Sequence, residues 1–129
     1  MRFNQIHLTR FGCFTDHVID LGESSPSGDF HIIYGPNEAG KSTLREACLD
    51  FFYGISARSQ YNFLHDYAVM EVGARITVAG KSYEAKRIKG RKNTLTGTGD
   101  SPLSETTLNS HLLGNNNHLI TFIDSFLIP

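Results

Sequence analysis

The sequence predicts an α/β fold in which a central sheet carries one amphipathic helix on a glycine-rich turn, with an antiparallel β-hairpin region beside it. Residues 30–34, Phe-His-Ile-Ile-Tyr, are a continuous and mostly apolar run that suits a strand buried on both faces of a sheet. A glycine-rich turn follows, and from about Lys41 to Tyr53 the residues Leu44, Ala47, Cys48, Phe51 and Phe52 recur at helical spacing. Further on, Met70, Val72, Ala74, Ile76 and Val78 alternate with Val69, Glu71, Gly73, Arg75 and Thr77, the cleanest strand period in the chain.

The remaining elements follow in order. Residues 2–11 read as a strand with Ile6 and Leu8 on one face and His7 and Thr9 on the other, although Phe3 breaks the alternation. Residues 16–21 read as a second strand, with His17, Ile19 and Leu21 sharing a face. Between them Phe11-Gly12-Cys13-Phe14 is a turn that pivots on Gly12. The stretch from Gly22 to Asp29, rich in Gly, Ser and Pro, is a loop. Gly54 is placed to stop the helix, and residues 55–68 have no clear period. Ala79-Gly80-Lys81 makes a tight turn that returns residues 82–89 as the second strand of a hairpin. Residues 93–103, rich in Thr, Gly and Ser, read as loop. A helix is expected over about 104–113, with Leu108, Leu112 and Leu113 apolar and Gly114 closing it. A last helix from about His118 would place Leu119, Phe122, Ile123, Phe126 and Leu127 on one side.

The chain has 129 residues, 40% of them hydrophobic and 19% charged, which is ordinary for one globular domain and excludes the disordered classes. Lys and Arg number 12 against 13 Asp and Glu, so any contact with nucleic acid needs a local patch. Cys13 and Cys48 are too few for a disulfide scaffold and have no metal-site spacing. No apolar run is long enough to span a membrane, and the opening Met-Arg-Phe-Asn-Gln is no export signal. A reduced, cytoplasmic protein is expected.

The chemistry lies in Gly35-Pro36-Asn37-Glu38-Ala39-Gly40-Lys41-Ser42-Thr43, which fits G-x-x-x-x-G-K-[ST], the P-loop or Walker A pattern. A phosphate chain needs backbone N–H donors aimed inward from a tight loop, and Gly35 and Gly40 permit that approach. The loop opens a helix whose free amides and dipole favour an anion. Lys41 would set its charge against the β- and γ-phosphates, Ser42 would offer its hydroxyl to Mg²⁺, and Thr43 would lie near the α-phosphate. Glu38 is expected to face solvent, because an inward carboxylate would be repelled by the phosphates. Hydrolysis also needs a second carboxylate and a group that positions water. Asp124, after Ile120-Thr121-Phe122-Ile123, fits a helix pattern better than a strand end, and Glu71 follows an interrupted run. No catalytic residue is therefore assigned in this chain.

The strand pair, the Phe11-Gly12-Cys13-Phe14 turn, the Ile33–Thr43 segment, Asn62-Phe63-Leu64-His65-Asp66-Tyr67 and the segment Lys89 to Leu95 occur in an order that resembles the SMC-like coiled-coil ATPases. These are the ABC-type heads of chromosome-maintenance and double-strand-break-repair proteins, and the resemblance is greatest to the YhaN-type AAA domain family. It implies the N-terminal lobe of a P-loop NTPase head. The lobe would divide into residues 1–54 with strands, Walker A and helix, a β-rich region over 55–95, and helices over 104–128. It further implies ATP and Mg²⁺ as ligands, with Gly35, Asn37, Gly40, Lys41, Ser42 and Thr43 at the nucleotide-binding positions. The implied partners are a C-terminal head lobe with its coiled coil, a second head in a head-to-head dimer, and DNA; self-association is expected of a lobe without its complement. Gln60 lies too early for the family's Q-loop, and the Walker B carboxylates, signature motif and switch histidine have no counterpart in the sequence. The chain on its own is therefore expected to hydrolyse ATP negligibly. A small P-loop metabolite kinase, and a non-catalytic interaction module that keeps the loop as structure, are the alternatives.

Lys86, Arg87, Lys89, Arg91 and Lys92 concentrate positive charge within 86–92. They read either as a solvated strand end or, through Lys89, Arg91 and Lys92, as a contact for a DNA backbone. The histidines show no metal-ligand spacing, and His31 reads as a packed sheet residue. His65 either lines the nucleotide side or orders a loop, with Tyr61, Phe63 and Tyr67 around it as a small satellite core.

Overall fold

The computed structural model describes residues 1–23, 30–36 and 40–113. Asn37, Glu38 and Ala39, most of the Gly22–Asp29 loop, Gly114 and the helix expected from His118 lie outside them. The N-terminal alternation becomes β1 (Arg2–Phe11), which turns at Gly12 and Cys13 into β2 (Phe14–Asp20). These strands pair antiparallel, with Ile6 opposite Ile19 and Phe11 opposite Phe14. The long two-residue period becomes β3 (Glu71–Val78), which returns through Ala79 and Gly80 as β4 (Lys81–Ile88). β3 lies antiparallel to β1, so the hairpin joins the N-terminal pair in one sheet. A short β5 (Leu95–Gly97) completes the order β2-β1-β3-β4-β5. β5 falls in the Thr- and Gly-rich stretch expected as loop. The outer edge of β4 has backbone groups to satisfy, and Leu95, Thr96 and Gly97 pair with Arg87, Lys86 and Ala85.

The irregularity at Phe3 has a physical cause. The register of β1 against β3 shifts between Phe3 and Gln5, and the consecutive residues Phe3 and Asn4 are both buried. Buried Asn4 is not left wanting: its Nδ2 donates to Thr77 Oγ1 at 2.8 Å and its Oδ1 accepts from Arg2 at 2.8 Å.

The expected helix is α1 (Lys41–Tyr53), closed where the Gly54 N–H donates to the Asp50 carbonyl at 2.8 Å. Its whole predicted stripe, Leu44, Ala47, Cys48, Phe51 and Phe52, is buried. Facing it are Phe3, Ile6, Leu8 and Phe11 of β1, Val72, Ala74 and Ile76 of β3, and Ala85 of β4. Phe3 and Phe52 meet with ring centroids 5.2 Å apart. Burial pushes the Cys48 thiol up to about 12, so it remains an uncharged part of the core. α2 (Glu105–Leu113) starts after Ser104, whose Oγ accepts the Thr107 N–H at 3.1 Å as an N-cap, and it adds Leu108 to the core.

Two further expectations are corrected. Residues 30–36 form no strand, although the apolar run predicted one buried on both faces. Phe30, Ile32 and Tyr34 are 76%, 65% and 84% exposed, whereas Ile33 packs against the core. Arg2 reaches from β1 to His31 Nε2 at 3.2 Å and to the carbonyls of Leu21 and Gly22, so His31 is held by a side-chain bond and not by a sheet ladder. The run joins neither edge of the five-stranded order, and only Ile33 of its apolar residues reaches the core. The second correction is Arg87, read as part of a charged surface. It is 3% exposed and points into the domain. Its Nε donates to the Phe51 carbonyl at 2.8 Å, its terminal nitrogens donate to the Phe52 carbonyl at 3.1 Å and to Thr94 Oγ1 at 2.9 Å, and it pairs with Glu105. A strand residue thus supplies the donors that the last carbonyls of α1 lack.

Candidate functional site

α1 begins without any side-chain cap. Gly40, its first flanking residue, has φ 99° and ψ 20°, and no acidic residue occupies the first turn. The Leu44 N–H donates to the Gly40 carbonyl at 2.9 Å, which closes the first helical turn and leaves the amides before it without intrahelical partners. Lys41 is half-buried, Ser42 is exposed and Thr43 is buried. Upstream, Gly35 is half-buried and Pro36 exposed. An uncapped start with a lysine and a hydroxyl, and with no carboxylate in its first turn, is a place where an anion is favoured.

The Phe11–Phe14 turn packs directly onto this start, a contact that linear reading treated as two unrelated features. Gly12 has φ 58°, and a Cβ there would collide with the Thr43 methyl group. A Cβ on Gly40 would stand 2.7 Å from Phe14 Cζ and 3.1 Å from Cys13 Sγ. Both glycines are thus required twice over, by backbone conformation and by close approach.

A third segment straps the turn from outside. The Gly12 N–H donates to the Tyr61 carbonyl at 2.9 Å, and the Phe11 and Tyr61 rings stack at 5.4 Å. His65 Nε2 lies 2.9 Å from Thr15 Oγ1 and 3.1 Å from the Phe14 carbonyl. The Tyr67 hydroxyl donates to the Ser59 carbonyl at 2.9 Å. Of the two readings of His65, its bonds are those of a residue that orders a loop. Of the expected satellite core, Tyr61 packs against the main core instead, while Phe63 and Tyr67 are exposed.

Between the strap and α1 lies a cavity of about 300 Å³ lined by Glu46, Asp50, Ser56, Arg58, Ser59, Gln60 and Tyr61. Burial, with Glu46 nearby, pushes the Asp50 carboxyl up to about 7 against the opposing pull of Arg87. A carboxyl raised in the folded state binds its proton more tightly there than in the unfolded chain. Its contribution to stability is therefore fully present below pH 3.8 and is lost as pH rises toward 7. Asp50→Asn should raise the melting temperature at pH 8 and change it little at pH 4. A gain of about 1 kcal/mol is expected after allowing for solvent screening of a partly exposed group. Thermal melts across pH check this, and an equal effect at both values would refute it.

The basic cluster divides. Arg87 is internal, Lys86 lies 3.8 Å from Glu71, and Lys89 sits over the Tyr67 ring at 4.4 Å. Arg91 and Lys92 are exposed on the connection to β5.

The described residues thus offer an uncapped helix start braced by an antiparallel sheet, and the chain belongs to the AAA domain family, whose model matches residues 1–127. Over 57 residues it is 35% identical to the DNA double-strand break repair Rad50 ATPase of Halobacterium salinarum. That stretch is 44% of this chain and 6% of the Rad50 ATPase, so the likeness concerns a small part of that protein. The family match and this short likeness agree with the resemblance carried by the motifs. No helix among the described residues is long and apolar enough to cross a membrane.

Proposed function

We propose that this chain is the ATP-binding N-terminal lobe of an SMC-like ATPase head, in which nucleotide-dependent association of heads serves DNA maintenance or repair. The observation that carries the reading is the start of α1, where uncapped amides, Lys41 and Ser42 meet behind the left-handed Gly40. ATP and Mg²⁺ fit this donor set. Backbone amides and Lys41 suit the phosphates, the Ser42 hydroxyl suits a hard cation, and no first-turn carboxylate repels the anion. Gly35, Pro36, Asn37, Glu38 and Ala39 complete the Walker A loop in this reading. The bound cation would supply charge neutralisation, while the chain's own groups bind and orient the phosphates.

A complementary C-terminal lobe, with its coiled coil, is the natural partner. The face of Phe30, Ile32 and Tyr34 left bare beside the core supports it, as does the small share of the Rad50 ATPase that the chain spans. Without that cover the same face favours self-association. The division into residues 1–54, 55–95 and 104–128 and a cytoplasmic location belong to the same proposal. Lys89, Arg91 and Lys92 are offered as a DNA-backbone contact, supported by the partly exposed Tyr67 ring beneath Lys89.

Thermal shift with Mg·ATP tests the reading. Ligand at a hundredfold excess over Kd should stabilise the chain by about 2.7 kcal/mol. Lys41→Ala should abolish most of that gain, and hydrolysis should stay negligible. No shift at millimolar Mg·ATP, with Lys41→Ala behaving alike, would instead favour a non-catalytic interaction module. Efficient phosphoryl transfer to a nucleoside panel would instead favour a metabolite kinase.

A further inference from the structure

We propose that His65 is a positioning residue for the phosphate loop, acting through the Phe11–Phe14 turn; this rests on the nucleotide-binding reading above. His65 is remote in sequence from its partners, 50 residues from Thr15 and 51 from Phe14. A carbonyl oxygen only accepts, so the 3.1 Å bond to Phe14 requires a hydrogen on Nε2. The Thr15 hydroxyl at 2.9 Å shares the same nitrogen. The backbone of Phe14 is thereby held while its ring lies against Gly40, where a single added carbon would come within 2.7 Å of Cζ. Two residues earlier, Gly12 is held by the Tyr61 carbonyl and meets Thr43.

The strap therefore grips the turn at two points, and the turn touches the two residues that bracket Lys41 and Ser42. Contacts this tight pass displacement on instead of absorbing it. Releasing His65 would let the Phe14 ring withdraw and free Gly40 to leave its left-handed conformation, which would spread the amides at the start of α1. His65 itself touches no phosphate position.

The test uses the full chain and two measurements. Amide exchange without nucleotide should be about tenfold faster over 11–15 and 40–44 in His65→Leu, with β3 and β4 unchanged. Mg·ATP affinity should fall by a similar factor. His65→Gln, which keeps an N–H near the position of Nε2, should restore both. Should His65→Leu not fold, His65→Asn, polar but too short to reach Phe14, takes its place. Acceleration spread evenly over β3 and β4, no change over 40–44, or failure of His65→Gln to restore it would overturn the proposal. If the wild-type chain binds no Mg·ATP, the nucleotide reading fails, while the exchange arm still decides the role of His65.

Discussion

Arg87→Leu is expected to destabilise the chain by about 3 kcal/mol, more than any other single change among its surface-like charges. The side chain joins β4, α1, the connection to β5 and α2 through Phe51, Phe52, Thr94 and Glu105. A leucine fills part of the volume but leaves two carbonyls at the end of α1 without their donor, each costing about 1–3 kcal/mol when buried. Arg87→Lys should rescue little, because one ammonium cannot reach several acceptors in the plane of a guanidinium fork. Arg91→Ala and Lys92→Ala, both exposed, should stay within about 0.5 kcal/mol of wild type. Urea unfolding measures all of these. A loss for Arg87→Leu no larger than that for Arg91→Ala would mean that the internal bonds contribute nothing.

Gly12→Ala should cost about 2–5 kcal/mol. The positive φ of 58° accounts for roughly 1–2 kcal/mol of this and overpacking against Thr43 for about 1–3. The two contributions can be separated. Thr43→Ser removes the methyl group that the new Cβ would strike while keeping the hydroxyl. In that background Gly12→Ala should retain only the backbone cost, a coupling of about 1–3 kcal/mol in a double-mutant cycle. Simple additivity of the two substitutions would show that the turn has room to move away from α1. It would also weaken the idea that the turn positions the start of that helix.

The part of the fold readable in advance was the part set by local period. The stripe Leu44, Ala47, Cys48, Phe51 and Phe52 predicts α1 because only a helix brings those positions to one face, and the alternation from Met70 to Val78 predicts β3 for the corresponding reason. Composition misled where a residue's role depends on a distant partner. Arg87 looks like its neighbours Lys86 and Lys89 in sequence, yet β4 alternates, and the position opposite Val72 faces the end of α1. Leu95 to Gly97 have the composition of a loop and became a strand because β4 offered an edge.

The sequence by itself determined α1 with its buried stripe and the strands β1 to β4, because these depend on neighbours within a few residues. Tertiary structure also decided what no local period records. It set the Phe11–Phe14 turn against Gly40 and Thr43, it turned His65 onto that turn, and it left Phe30, Ile32 and Tyr34 bare. Each depends on strand order and chain crossing, which place residues tens of positions apart within bonding distance. An apolar run records that a side chain favours burial, but whether a surface is there to bury it is settled only when the sheet has formed.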